Sequence, residues 1–249
     1  MLNLEGLTDH QDRSEVEVRR ALAAVHRIAH IENFHEATWT HYSVRLLDDK
    51  GFLVTPANTY FSEVKASNLI LYGADGEVLS GDQEANHDAI PIHLPIYEAR
   101  PDVRCILHMH PPYATALTLL EDGRLDTLAS QPAAQLYGKL AYLDVYSLPR
   151  TSTEEGVMMA NALEDKMILV MKNHGILLAA SSIAEAIVSA FLLERAAKLQ
   201  VLASMTGQKR VRIQEKYAQS LSSQPCSGEP GYLYGMMKML DNRHPDYRE

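Results

Sequence analysis

The stretch YSVRLLDDKGFLVTPANTYFSEVKASNLILYG, residues 42–73, decides the fold. It holds three apolar runs rich in β-branched and aromatic residues: YSVRLL (42–47), GFLVTP (51–56) and NLILYG (68–73). Asp48-Asp49-Lys50-Gly51 and Ala74-Asp75-Gly76 are turn formers. Short strands joined by tight turns pair antiparallel, because a parallel pair needs a long crossover. Just upstream, Ser14 and Glu17 match a capping box, and Val18, Ala21, Val25, Ile28 and Ala29 recur at helical spacing. The pattern predicts a helix from about Ser14 to Ile31 whose apolar stripe covers the sheet.

Downstream, 79–86 is polar and reads as a loop. IPIHLPIYEAR (90–100) suggests a helix ended by Pro101, with Pro95 an internal strain. VRCILHM (103–109) is a buried-strand pattern stopped by Pro111-Pro112, followed by a helix over Tyr113–Leu120 and a further strand, LAYLDVY (140–146). Ser152 and Glu155 open a capped helix through Leu163. MILVMKN and GILLAA (167–180) are strand segments meeting at His174-Gly175, and Ser182 with Glu185 caps a long helix to about Met205. From about 207 the chain reads as a partly irregular tail with a short helix at its start and another near its end. Strands mixed with helices, without strict βαβ alternation, argue for a layered α/β fold on a mostly antiparallel or mixed sheet. No repeat or linker divides residues 1–249, so a single domain is expected.

The net charge of −9 and the lack of a Lys/Arg stripe exclude the usual footprint of a nucleic-acid binder. No uncharged run reaches membrane-spanning length, and the first residues carry no apolar core of signal-peptide size, so a cytoplasmic protein without membrane contact is expected. Two cysteines, Cys105 and Cys226, are too few for a disulfide scaffold or a thiolate metal site. Neither GxGxxG nor GxxxxGK[ST] occurs.

His108-Met109-His110 ends a predicted strand, where alternation sends both imidazoles to one face and Met109 to the other. Two imidazoles on one face can chelate, and a catalytic cation takes a third protein ligand while keeping a position open. His174 is the candidate: it lies between two apolar strand segments, and Gly175 allows close backbone approach. The plainer explanation of an isolated HxH is a pair of satisfied core histidines. His26 and His30, at i and i+4 on the first helix, are better explained by a half-exposed face, since no HExxH pattern accompanies them. His93 and Tyr97 share a helical face, for which ordinary packing with a hydrogen bond suffices.

Three segments, HYSVRLLDDKGFLVTPANTYFSEVKASNLILYGADGEVLSG, HLPIYEARPDVRCILHMHPPYATAL and MKNHGILLAA, occur in an order that resembles the class II aldolase/adducin family over roughly Glu15 to Met205. The resemblance implies a three-layer αβα sandwich with a central, mostly antiparallel sheet. It also implies a divalent ion on His108, His110 and His174, and a homotetramer with active sites at subunit interfaces. Zinc is the first expectation for the ion, and manganese or iron also suit three imidazoles. Where sugar-phosphate aldolases of the family carry Ser-Ser-Glu, with the Glu transferring the proton, this chain reads Asp88-Ala89; Asp88 and Glu84 are the neighbouring carboxylates. Asn58 stands at the glycine of the TPxG turn. The expected activity is a metal-dependent carbon–carbon lyase on a small hydroxy-carbonyl or hydroxy-carboxylate, by retro-aldol cleavage or decarboxylation. Asp88, His93 and Tyr137 are its proton-transfer candidates, with Tyr217 a further donor, and His41, Arg45 and Asn58 its substrate contacts. The alternative is a non-catalytic, adducin-like scaffold.

Overall fold

The computed structural model describes residues 14–47, 50–146, 153–224 and 229–249. The Asp48-Asp49 turn, the Ser152 cap and Cys226 lie outside the described residues. Helix α1 (Glu15–Ile31) opens as expected: the Glu17 carboxylate accepts from the Ser14 amide at 3.0 Å and from its hydroxyl at 2.9 Å. Strands β1 (His41–Arg45), β2 (Phe52–Val54) and β3 (Ile70–Tyr72) occupy the three runs of the opening stretch and pair antiparallel. A fourth strand, β4 (Val78–Ser80), forms an exposed edge at the start of the segment expected to be a loop. Its outward side chains leave no buried face to betray it in the sequence.

Helix α2 (Ile90–Ala99) keeps Pro95 inside it. Proline has no N–H for the carbonyl four residues back, that of Pro91. Against that carbonyl packs Gly156 of α5 (Thr153–Leu163), where a Cβ would lie 2.1 Å from the Pro91 oxygen and 3.1 Å from Ile92 Cα. Only glycine permits this approach, so α2 and α5 are locked backbone to backbone.

Strands β5 (Cys105–Met109), β6 (Leu140–Leu143), β7 (Ile168–Met171) and β8 (Ile176–Ala180) complete an eight-stranded sheet of order β4-β3-β2-β1-β5-β8-β7-β6. Every pairing is antiparallel except β6 with β7. Two cores lie on its opposite faces. On one, Tyr42, Leu53, Leu107, Met109 and Ile176 pack with α1 and α6 (Ile183–Ser204). On the other, Val54, Ile106, Leu169 and Leu177 pack with α2 and α5. The result is the three-layer αβα sandwich.

Short helices α3 (Pro112–Thr118) and α4 (Gln131–Ala134) follow β5. Beyond α6 come α7 (Glu215–Ser222) and α8 (Glu229–Arg243). The second is longer than the weak periodicity of the tail suggested, and its Leu233, Met237 and Leu240 are buried in the core shared with α1 and α6. Among the described residues no helix is long and apolar enough to cross a membrane.

Candidate functional site

His108 points to the α2/α5 face of the sheet while Met109 enters the opposite core, as strand alternation requires. His110, just past the end of β5, is held by its amide, which donates to the Phe34 carbonyl at 3.1 Å. His174 sits in the turn from β7 to β8. That turn is closed by Met171 N–H to Gly175 O at 2.9 Å and anchored by Asn173 N–H to Thr118 O at 3.1 Å. Asn173 takes φ 57°, a left-handed conformation its short polar side chain tolerates. Gly175 is needed for space: a Cβ would lie 2.3 Å from His110 Cδ2 and 2.8 Å from the Met109 oxygen.

These elements bring one ring nitrogen each of His108, His110 and His174 within 4.8 Å of one another. The ring centroids stand 4.9–5.2 Å apart. Hydrogen bonds select which nitrogens converge. His108 Nδ1 lies 3.2 Å from the Ile176 carbonyl and His110 Nδ1 lies 2.7 Å from Glu36 Oε2. Both partners are acceptors, so each Nδ1 carries the proton and each Nε2 keeps its lone pair. His110 Nε2 is buried without a hydrogen-bond partner. An orphaned imidazole lone pair beside two more imidazoles fits a cation, and a carboxylate behind a ligating imidazole is the usual outer support of such a site.

The cluster opens into a cavity of about 270 Å³ lined by Trp39, His41, Asp88, Ile92, Tyr146 and Glu155 as well as Glu36, Asn173 and the three histidines. His41 is the cross-strand partner of His108 in β1. Its Nδ1 is 2.9 Å from His93 Nε2; His93 Nδ1 is 2.6 Å from Ser43 Oγ, which is 2.8 Å from the Tyr97 hydroxyl. This buried polar chain fixes the ring of His41 where it meets the cavity. Burial, followed by the charges His110 and His174 would carry, lowers the His41 pKa to about 3. Burial and then His41 hold His93 well below its ordinary range, so both are neutral at neutral pH.

The sequence candidates divide accordingly. His41 and Asp88 line the cavity with the triad. His93 is fully buried behind His41, so it positions that residue and does not touch a ligand. Arg45 is at the far end of β1, four residues or roughly 13 Å of strand from His41; its guanidinium donates to the Tyr97 carbonyl and lies 4.7 Å from that ring's centroid. Asn58 adopts φ 54° and donates to Glu84 at 2.9 Å, outside the cavity lining. Tyr137 donates to Glu215 of α7, and Tyr217 is an exposed residue of that helix; neither reaches the cavity of its own chain. Glu36 and Glu155 were missed. Nothing in the spacing of either signals the site, because each arrives there through tertiary packing.

Residues 20–201 match the family described as "Class II Aldolase and Adducin N-terminal domain". The crystal structure of an aldolase II superfamily protein from Pseudomonas syringae superposes with a TM-score of 0.86 at 28% identity, covering 96% of this chain and 97% of that one. An L-fuculose 1-phosphate aldolase from Glaciozyma antarctica gives 0.83 at 27% identity, covering 99% and 100%. Alpha-adducin of Rattus norvegicus is 29% identical over 96% of this chain but 36% of its own length, so the chain spans about a third of that relative. With most of its length matched by the family pattern, the chain belongs to the class II aldolase and adducin family.

Proposed function

We propose that the chain is a divalent-metal-dependent lyase that makes or breaks a carbon–carbon bond in a small hydroxy-carbonyl or hydroxy-carboxylate compound. The observation that carries this is the convergence of three imidazole nitrogens, one of them buried and unpartnered, at the floor of a cavity of small-molecule size. His108, His110 and His174 would hold the ion, zinc first and manganese or iron next. Bound there, it supplies Lewis-acid stabilisation of negative charge on a substrate oxygen. Glu36 orients His110, and the Ile176 carbonyl orients His108. His41, held by His93, meets the substrate's polar groups, and the buried Ile92 offers its apolar parts a contact. The carboxylates of Asp88 and Glu155 bring proton-transfer groups to the cavity, which favours retro-aldol cleavage over decarboxylation. We further propose a cytoplasmic homotetramer whose subunits meet around the cavity mouth.

The test is direct. Protein reconstituted with zinc or manganese is assayed on short aldols and hydroxylated carboxylates for release of aldehyde or carbon dioxide. The expected result is turnover in the wild type and loss of both metal and turnover, by at least about 100-fold, in His108→Ala/His110→Ala. Undiminished turnover in that variant sinks the reading. The match to alpha-adducin over nearly the whole chain favours a second one, a non-catalytic scaffold, which predicts no metal uptake and no turnover.

A further inference from the structure

We infer that His41 is locked as its Nδ1–H tautomer and presents a bare Nε2 to the cavity, where it accepts the hydrogen bond of a substrate hydroxyl. The inference deepens the lyase reading above and rests on it. His41, His93, Ser43 and Tyr97 form one buried chain, none of them more than 4% exposed. His41 Nδ1 meets His93 Nε2 at 2.9 Å, His93 Nδ1 meets Ser43 Oγ at 2.6 Å, and Ser43 Oγ meets the Tyr97 hydroxyl at 2.8 Å. At the far end the Tyr97 hydroxyl reaches the Arg104 carbonyl at 3.5 Å. That carbonyl also accepts the Arg45 amide at 2.8 Å and has a second lone pair to offer.

The ends of the chain set its direction. A neutral imidazole has one N–H and each hydroxyl one O–H, so each group donates once. The Arg104 carbonyl has no proton to give. With the Tyr97 proton directed to it, the Tyr97 oxygen accepts from Ser43, Ser43 accepts from His93 Nδ1, and His93 Nε2 accepts from His41 Nδ1. The opposite sense would put the N–H of His41 on Nε2. The near end disfavours that: His41 is the cross-strand partner of His108, with ring centroids 5.0 Å apart, so an Nε2–H would point its positive pole toward a cation held by the triad. Carbonyl and cation thus favour the same sense.

His41 is not one of the three converging imidazoles, and with Nδ1 turned to His93 its Nε2 is the nitrogen left for a ligand. A lone pair there accepts from a hydroxyl and has nothing to offer an ether oxygen or a methyl group. The site therefore selects compounds with a hydroxyl beside the metal-bound carbonyl over their deoxy and alkoxy analogues. His41 is the residue that touches the substrate; His93, Ser43 and Tyr97 are positioning residues that decide which proton it carries.

The test uses full-length, zinc-loaded protein and two readouts. Neutron diffraction from deuterated crystals should show deuterium on Nδ1 of His41 and His93, and none on His41 Nε2. Glycolohydroxamate should bind the wild type at least about 10-fold more tightly than acetohydroxamate, which lacks the hydroxyl, or methoxyacetohydroxamate, in which it is capped. His41→Phe should erase the advantage over acetohydroxamate while keeping the zinc stoichiometry. Tyr97→Phe takes away the acceptor for the Ser43 proton and so reverses the chain; it should narrow the gap to methoxyacetohydroxamate several-fold, whereas a merely structural role would weaken all three compounds alike. Deuterium on His41 Nε2, an undiminished advantage in His41→Phe, or loss of zinc from that variant overturns the assignment while leaving the lyase reading standing. If the loaded wild type binds none of the three hydroxamates, the lyase reading falls and takes the hydroxyl contact with it.

Discussion

Gly175 lies between two of the proposed ligands, and its missing side chain is what lets His110 approach His174. A methyl group placed there would sit 2.3 Å from the His110 ring. Gly175→Ala should therefore displace that imidazole, lowering stability by about 1–3 kcal/mol and weakening zinc binding at least ~10-fold. Thermal melts and zinc titration against a competing chelator check both, and unchanged zinc affinity would show that the ring is not held where we describe it. This glycine and the three histidines were legible in the sequence because their signals are local: alternation in a strand for His108 and His110, an apolar-flanked turn for His174. Glu36 and Glu155 were not, because a carboxylate 74 residues from its imidazole partner, or one presented by a helix seam, has no sequence-local signature. His93 was visible as a candidate but its role was not, since only burial separates a residue that touches a ligand from one standing behind it.

At the scale of elements, the joint between α1 and β2 carries a titrating pin. His26 of α1 is fully buried, with Nδ1 2.8 Å from the Leu22 carbonyl and Nε2 2.7 Å from Thr55 Oγ1, and it packs edge-on against Phe61. Burial lowers its pKa from 6.5 to about 3. Because the folded value is the lower one, the unfolded chain binds this proton first. The stability it contributes is complete above about pH 6.5 and is lost toward pH 3, at up to ~1.4 kcal/mol per pH unit. Between pH 6.5 and pH 5 this single group should cost roughly 2 kcal/mol. Urea unfolding at pH 7 and pH 5 should show His26→Gln losing less stability on acidification than the wild type, by about that amount; equal losses would refute the assignment. The elements themselves were mostly readable from patterning: the capping box of α1, the alternation of β1 to β3, the long apolar run of α6. Two kinds escaped. Strand β4 buries no face, so alternation had nothing to mark. In α8 the spacing of Leu233, Met237 and Leu240 is helical, but Tyr232, Tyr234, Met236 and Met239 also pack against the core and blur the stripe.

For the whole molecule, the sandwich leaves the cavity mouth edged by apolar surface: Trp39 is 65% exposed and Tyr146 56%. Large aromatic side chains left open beside a site are what a neighbouring subunit would cover. Light scattering after size exclusion should accordingly give about four times 27.8 kDa, and a monomer mass at micromolar concentration would refute the assembly. At the other margin of the sheet lies β4, whose exposed Val78 and Leu79 invite recruitment by another chain. That strand is three residues long, short of the roughly six or seven that stack into fibrils. Colloidal behaviour then depends mainly on electrostatic repulsion, which fades as the solution nears the isoelectric point of about 5.6. Since that pH also falls inside the window where buried imidazoles begin to favour the unfolded chain, mild acid removes solubility and conformational reserve together, and purification buffers belong well above it.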